Sequence, residues 1–153
     1  EEKMLLEILE PLRDRYNVII IDTAPTLEAL NINALAAADE VIITVNPQLL
    51  AMMGLQDFLK TVKKIRARVN DRLSVAGILL TMYDARTNLS LQVVENVKDN
   101  LQQNIYKTII PRNVRLAEAP SHGKPINIYD TRSTGAESYR MLAEEVVEYG
   151  KNE

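Results

Sequence analysis

Apolar runs and stretches of helical period alternate along this chain, and the alternation predicts an α/β fold. Residues 18–21 and 41–45 are short continuous apolar runs rich in Val and Ile, a pattern typical of strands covered on both faces. Residues 75–82 and 105–110 are predicted as two further strands. Longer stretches of helical period lie between these runs, as in parallel βαβ units. We therefore expect a mostly parallel sheet with helices between its strands.

Apolar positions that recur every three or four residues predict the helices. The first passes through Leu5 and Leu12 and is kinked or shortened by Pro11. Residues 111–133 contain three prolines, so this stretch is expected to be an irregular loop with one helical turn near Leu116. Further helices are expected at about 27–38, 55–69 and 90–101, and a closing helix at 136–149 has Tyr139, Leu142, Val146 and Tyr149 as its inward positions.

The composition is typical of a compact globular chain, and we expect a single α/β unit over residues 1–153. Of the 153 residues, 46% are hydrophobic and 25% charged, which excludes a disordered chain and an integral membrane protein. Cysteine is absent and there is one histidine, so thiolate sites are excluded and a multi-histidine metal site is disfavoured. The five glycines are scattered, so the sequence contains no glycine-rich phosphate-binding loop.

Asp22 is the first candidate for chemistry, because it directly follows the predicted strand 18–21. Doubly wound sheets bind ligands at the carboxyl ends of their strands, where an aspartate can hold Mg²⁺ beside nucleotide phosphates. Capping of the following turn is the alternative, and the spacing alone does not decide between the two roles. Asp84 ends the string TMYD after the third strand, and there a turn-forming aspartate is favoured over contact with a base.

The stretch from Lys107 to Arg132 is basic, although the chain as a whole is acidic. It contains five Lys and Arg residues against two acids, whereas the whole chain carries a net charge of −3. This asymmetry favours a loop that faces an anion, with a solvated polar loop as the alternative. His122 lies in this stretch beside Gly123 and is interpreted as a turn residue rather than a catalytic one.

Three strings of the sequence resemble one protein family. They are YNVIIIDTAPTLEALNINALAAADEVIITV, VAGILLTMYDARTNLSLQVVENV and YKTIIPRNVRLAEAPSHGKPINIYDTRSTGAESY, and the likeness extends over about residues 16–147. They look like the carboxyl-terminal half of the ParA/Soj chromosome- and plasmid-partition ATPases, a deviant Walker A group that includes the MinD cell-division ATPases. The resemblance implies a partial doubly wound, mostly parallel P-loop NTPase-like sheet without its amino-terminal strand and phosphate loop.

The resemblance also implies a function in DNA segregation. Members of the family bind ATP and Mg²⁺, form homodimers around the nucleotide and bind DNA non-specifically. A ParB/Spo0J-type partner protein stimulates their ATP hydrolysis, after which they release the DNA. A cytoplasmic, nucleoid-associated protein with no membrane partner is therefore expected.

The same resemblance assigns roles to individual residues. Asp22 matches the Walker B acid, a catalytic residue that contacts Mg²⁺ through water. Met82, Pro111 and Asn113 match the segments that line the adenine pocket, and Arg86 and Arg115 match arginines credited with DNA binding. The last assignment makes physical sense, because guanidinium groups bind phosphates without reading the bases.

The sequence departs from this family in ways that bear on catalysis. Ala24 stands where the family often has a first proline, and Gln48 and Met53 stand where Glu is common. The family's KGGVGKT loop and the acidic motif that follows it have no counterpart here. Because phosphoryl transfer depends on positioning and charge stabilisation, we expect this chain alone not to hydrolyse ATP. The intact parent protein is expected to be a slow ATPase.

Two other functions stay open as alternatives. A MinD-like membrane-associated cell-division ATPase would need a basic amphipathic carboxyl-terminal helix, but the chain ends in the Glu-rich string AEEVVEYGKNE. A non-catalytic interaction module of the same fold is the second alternative. Without the amino-terminal strand, the edge beside residues 18–21 is expected to expose unpaired backbone groups and apolar side chains, which favours self-association.

Overall fold

The computed structural model describes residues 3–24, 28–47, 49–100 and 103–150 and shows an α/β fold. Its strands are β1 (Glu40–Val45) and β2 (Ser74–Leu80). Short 3₁₀ helices at Glu10–Leu12 and Ala119–His122 accompany the α-helices. The α-helices are α1 (Met4–Leu9), α2 (Ala29–Ala37), α3 (Leu49–Arg68), α4 (Asn88–Asn100), α5 (Val114–Glu118), α6 (Ile126–Tyr129) and α7 (Thr134–Tyr149).

The strands β1 and β2 pair as a parallel sheet, and α3 makes the crossover between them. The Thr81 N–H donates to the Val45 carbonyl at 2.9 Å, at the carboxyl ends of both strands. The predicted fourth strand lies along the other side of β2, where isolated parallel bridges join Ile78 to Ile105 and Tyr83 to Pro111. It therefore runs parallel to β2, as expected, but pairs with it at separate bridges rather than along a continuous ladder.

The predicted strand at residues 18–21 is not formed in the described part of the chain. Val18 is 74% exposed and Ile20 is 88% exposed, so the expectation of a strand covered on both faces is wrong here. The physical reason is that, among the described residues, no backbone group of another segment is hydrogen-bonded to residues 18–21. The apolar side chains of this segment are exposed, as expected, although no strand edge is formed.

The described residues group into two compact units, Glu1–Val41 with Gly54–Ala76 and Ile42–Met53 with Gly77–Glu153. In the first unit Leu35, Val62, Ile65 and Leu73 form a buried cluster, and Val62 and Ile65 belong to the helix predicted at about 55–69. Leu55 and Leu59 of α3 are also buried. A single domain over residues 1–153 stays a prediction.

In the second unit the core forms where the fourth-strand segment meets β2 and the helices. Leu79, Tyr106 and Ile110 are buried together, with Leu116 and Leu142 packed against them. Gly77 is required here, because a β-carbon at this position would lie 2.8 Å from the ring of Tyr106. No helix that the described residues form is both long and apolar enough to cross a membrane.

Residues 111–133 contain more helix than expected. Alongside the predicted turn near Leu116, which is α5, they include the 3₁₀ helix Ala119–His122 and α6. Two of the prolines occupy positions that helices tolerate: Pro120 lies in the first turn of the 3₁₀ helix, and Pro125 is the N-cap of α6. Gly123 ends the 3₁₀ helix with a left-handed φ of 61°. His122, predicted as a turn residue, is instead the last residue of this short helix.

The inward face of α7 is predicted correctly only in part. Leu142 packs against the buried cluster, and the Tyr149 ring meets the Tyr106 ring edge-on with centroids 5.7 Å apart. Tyr139, however, is 42% exposed, and Val146 and Tyr149 are exposed to 36% and 37%. Helical spacing identifies one side of a helix, but the packing partners decide how much of that side is covered.

Candidate functional site

The three residues predicted to line an adenine pocket lie just beyond the carboxyl ends of β2 and of the segment 105–110, which runs parallel to it. Met82 precedes Tyr83, which bridges to Pro111, and the Arg112 N–H donates to the Tyr83 carbonyl at 2.9 Å. Asn113 follows two residues after the bridge. The structure thus brings Met82, Pro111 and Asn113 into one part of the second unit, and their contact with a base stays a prediction.

Met82 and Asn113 each have a local structural feature. The backbone of Met82 has a φ of 50°, an uncommon conformation for a residue other than glycine, and its side chain is exposed. Asn113 is the N-cap of α5: its Oδ1 accepts from the Leu116 N–H, and its Nδ2 donates to Thr134 Oγ1 at 2.8 Å. The Asn113 amide therefore ties the start of α5 to the start of α7.

Arg86 lies in the turn that follows β2 and is held there by Asp84. Its Nε and Nη2 donate to the two oxygens of Asp84 at 2.9 and 2.8 Å, and its backbone N–H also donates to this carboxylate at 3.0 Å. The side-chain hydrogen bonds of Arg86 lower the pKa of Asp84 far below its usual value, with a smaller contribution from the charge of Arg112. Asp84 is thus the turn-forming residue that the sequence favours, while the Arg86 side chain is 87% exposed.

Arg115 lies in the first turn of α5 among two carboxylates. Its Nη1 donates to Glu118 Oε2 at 3.1 Å, and its Nε lies 3.3 Å from Asp130 Oδ2. The hydrogen bond to Glu118 is the main cause that raises the pKa of Arg115. Two acids beside one guanidinium leave this cluster with more negative than positive charge.

Tyr129 connects this cluster to His122. Its hydroxyl donates to Glu118 Oε2 at 3.0 Å, and together with the hydrogen bond from Arg115 it lowers the pKa of Glu118. The Tyr129 ring stacks on His122 with ring centroids 4.8 Å apart. His122 therefore packs on an aromatic ring.

Asp22 lies in the first unit and is exposed. A single exposed carboxylate suits Mg²⁺, which keeps most of its water ligands and takes one or two protein carboxylates plus phosphate oxygens. Among the described residues no group of three or more acidic, His or Cys side chains is gathered to hold a metal ion. The donor chemistry of Asp22 therefore fits a Mg²⁺ held through water beside a nucleotide, and it would supply one carboxylate.

Similarities to curated proteins cover nearly all of this chain. It is 52% identical to the sporulation initiation inhibitor protein Soj of Bacillus subtilis over 149 residues, 97% of this chain and 59% of that protein. It is 47% identical to the chromosome-partitioning ATPase Soj of Treponema pallidum, covering 95% of this chain and 58% of the relative. This chain is a relative of the Soj and ParA partitioning proteins. The resemblance that the sequence indicates is thereby confirmed.

Other matches agree with this relationship and with the part of the relatives that this chain covers. The chromosome partitioning protein ParA of Myxococcus xanthus is 44% identical over 95% of this chain and 52% of its own length. Residues 1–75 match a protein family described as an AAA domain. The chain therefore spans little more than half the length of the Soj and ParA proteins that it matches.

Solved structures confirm the fold class as that of P-loop ATPases. Cobyrinic acid a,c-diamide synthase from Mycobacterium smegmatis, with bound ADP and magnesium, matches with a TM-score of 0.81 and 31% identity, over 98% of this chain and 54% of that one. The cell division ATPase MinD of Pyrococcus furiosus matches with a TM-score of 0.79 over 97% of this chain and 59% of that one. Identity to this MinD is 23%, so it supports the fold alone.

The sequence does not identify the acidic and aromatic residues that contact Arg86 and Arg115. Asp84 is recognised from its position as a turn residue, but not as the partner of Arg86. Glu118 lies three residues after Arg115, a spacing that would indicate a contact once α5 is known. Nothing in the sequence pattern brings Tyr129 or Asp130 to Arg115, because that contact depends on how α5 and α6 pack.

Proposed function

We propose that this chain is the DNA-contacting part of a chromosome- or plasmid-partitioning ATPase. In the proposed cycle the full-length protein binds ATP and Mg²⁺, forms a homodimer and binds DNA non-specifically in the nucleoid. A ParB/Spo0J-type protein then stimulates hydrolysis and release. The relationship to Soj and ParA supports the class, and the arrangement of Arg86 supports the contact with DNA.

The observation that carries the DNA contact is the presentation of Arg86. Its side chain is almost fully exposed, and Asp84 fixes it through two side-chain hydrogen bonds at the carboxyl end of β2. Arginine has five N–H donors, so the contacts with Asp84 leave others for an oxygen of the DNA backbone. A guanidinium fixed in this way binds phosphate without selecting a base sequence.

The proposal is tested by replacing Arg86 with alanine in the full-length gene product in the presence of ATP and Mg²⁺. Arg86→Ala is expected to weaken binding to a fluorescein-labelled DNA duplex, because one phosphate contact is lost. The slope of log affinity against log salt is expected to become shallower by about 0.9 for that contact. Fluorescence anisotropy titrations at several salt concentrations measure both quantities, and duplexes of unrelated sequence should respond alike.

Lys60→Ala is the matched control. Lys60 is an exposed cation in α3 that is also paired with an acid, Asp57 at 2.9 Å, so its removal changes the total charge by the same amount. We expect this control to leave the salt slope unchanged. Equal affinity and slope for Arg86→Ala and wild type would contradict the assignment of Arg86 to DNA.

A further inference from the structure

Arg115 is linked through Glu118 to the packed aromatic side chain of Tyr129. Tyr129 donates its hydroxyl hydrogen bond to the same Glu118 oxygen that accepts from Arg115, at 3.0 and 3.1 Å. We propose that Tyr129 and Glu118 are positioning residues, which set the direction in which Arg115 meets a phosphate of DNA. This inference rests on the proposed function, and it adds two residues that affect DNA binding through Arg115.

Tyr129 is suited to such a role because its ring is held by packing. One face stacks on His122, with 24° between the ring planes. The ring also packs against the cluster of Ala119, Ile126 and Ala136, of which Ala136 is fully buried. The ring cannot turn away without losing these contacts, so its hydroxyl stays directed at Glu118.

Arg115 is held by its surroundings as well. Asn113 caps α5 and bonds to Thr134, which holds the helical turn from which Arg115 projects. Asp130 Oδ2 lies 3.3 Å from the Nε of Arg115, so a second nitrogen of the guanidinium also has an acidic partner. An arginine held at two nitrogens loses less side-chain freedom when it binds a ligand, and this lowers the entropic cost of the contact.

Long-range electrostatics alone makes the opposite prediction for Glu118. Glu118 and Asp130 place two negative charges around Arg115, and these charges repel a phosphate. If Glu118 acted only through its charge, its neutralisation would strengthen DNA binding. If Glu118 positions the guanidinium, the same neutralisation weakens binding, so the sign of the effect separates the two roles.

The experiment uses Tyr129→Phe and Glu118→Gln in the full-length gene product with ATP and Mg²⁺, each alone and combined with Arg115→Ala. Tyr129→Phe removes only the hydroxyl and changes no charge. We expect each single variant to weaken binding to a fluorescein-labelled duplex about fivefold, the size of one lost hydrogen bond. In the Arg115→Ala background the same changes are expected to have no further effect.

Tyr139→Phe and Glu137→Gln are the matched controls, because both residues are exposed in α7 of the same unit. Neither is expected to weaken binding, and all variants should unfold at nearly the wild-type temperature. If Arg115→Ala weakens DNA binding but Tyr129→Phe does not, or Glu118→Gln strengthens it, the positioning role is wrong while the proposed function stands. If Arg115→Ala has no effect on DNA binding, the assignment of Arg115 to DNA fails and the positioning role fails with it.

Discussion

At the scale of single residues, the two candidate DNA arginines are each held by acids, but they differ in how far the sequence reveals this. Asp84 lies two residues before Arg86, so both occupy one turn and the pair follows from local geometry. The hydroxyl of Tyr129 reaches Glu118 across 11 residues of chain. That contact depends on the packing of two short helices in a proline-containing stretch, which hydrophobic spacing does not predict.

Two glycines in helices, Gly135 and Gly54, lead to a prediction about side-chain packing. A β-carbon on Gly135 would lie 2.6 Å from Leu116 Cγ, whereas one on Gly54, in the middle of α3, would meet nothing within 4 Å. We expect Gly135→Ala to lower the free energy of unfolding by about 1–3 kcal/mol, because the Leu116 side chain is forced out of its place. Gly54→Ala is expected to raise it by up to about 1 kcal/mol, the helix propensity difference between the two residues.

Urea unfolding of the two variants, followed by circular dichroism, measures both changes against wild type. Gly54→Ala is the matched control, because it makes the same substitution in a helix without a neighbour to displace. A Gly135→Ala variant as stable as wild type would show that Leu116 can move at no cost, and would contradict the close packing of α5 against α7.

At the scale of elements, the sequence predicts helices better than strands. The face of α3 is confirmed because its buried positions, among them Val62 and Ile65, repeat at helical spacing along a single continuous element. The strand at residues 18–21 is a wrong prediction for the opposite reason. A strand needs a neighbour for its backbone hydrogen bonds, and an apolar run shows that a segment can be buried without showing what covers it.

Glu145 in α7 gives a prediction about how a helix is attached to the segment 105–110. Its carboxylate accepts from the backbone N–H groups of Lys107 at 2.6 Å and Thr108 at 2.9 Å. Burial alone would raise the pKa of Glu145, but these hydrogen bonds outweigh it and lower the pKa overall. We expect Glu145→Gln to lower the free energy of unfolding at pH 7 by about 1–2 kcal/mol, because an amide cannot accept both bonds.

The direction of the pKa shift fixes the pH dependence of this effect. Because the pKa of Glu145 is lower in the folded protein than in the unfolded one, its contribution is present above the unfolded value of about 4.3 and is lost as the pH falls. Urea midpoints between pH 7 and pH 3 should therefore converge for wild type and Glu145→Gln. The exposed neighbour Glu144→Gln is the control, and a gap between wild type and Glu145→Gln that stays constant with pH would contradict the role of Glu145.

At the scale of the whole molecule, the candidate groups fall in separate compact units. Asp22 belongs to the first unit, whereas Arg86, Arg115 and the predicted adenine-pocket residues belong to the second. The sequence reveals the resemblance because the likeness extends over almost the whole chain, and relatives at 52% and 47% identity confirm that resemblance. Residue roles in a nucleotide site are harder to predict, since they depend on groups that these 153 residues do not include.

The absence of a glycine-rich phosphate loop from these residues leads to a prediction about ATP. Asp22 supplies one carboxylate for Mg²⁺, but no run of backbone N–H groups and lysine of the kind that cradles phosphates is encoded in the sequence. Since such groups provide most of the charge stabilisation in phosphoryl transfer, we expect the purified 153-residue chain to show no ATP turnover above a buffer blank. Release of inorganic phosphate from ATP and Mg²⁺ measures this directly, with Asp22→Ala as the control for contaminating ATPases. Turnover by the chain that Asp22→Ala abolishes would show that the missing loop is dispensable, whereas turnover that persists in Asp22→Ala would identify a contaminant.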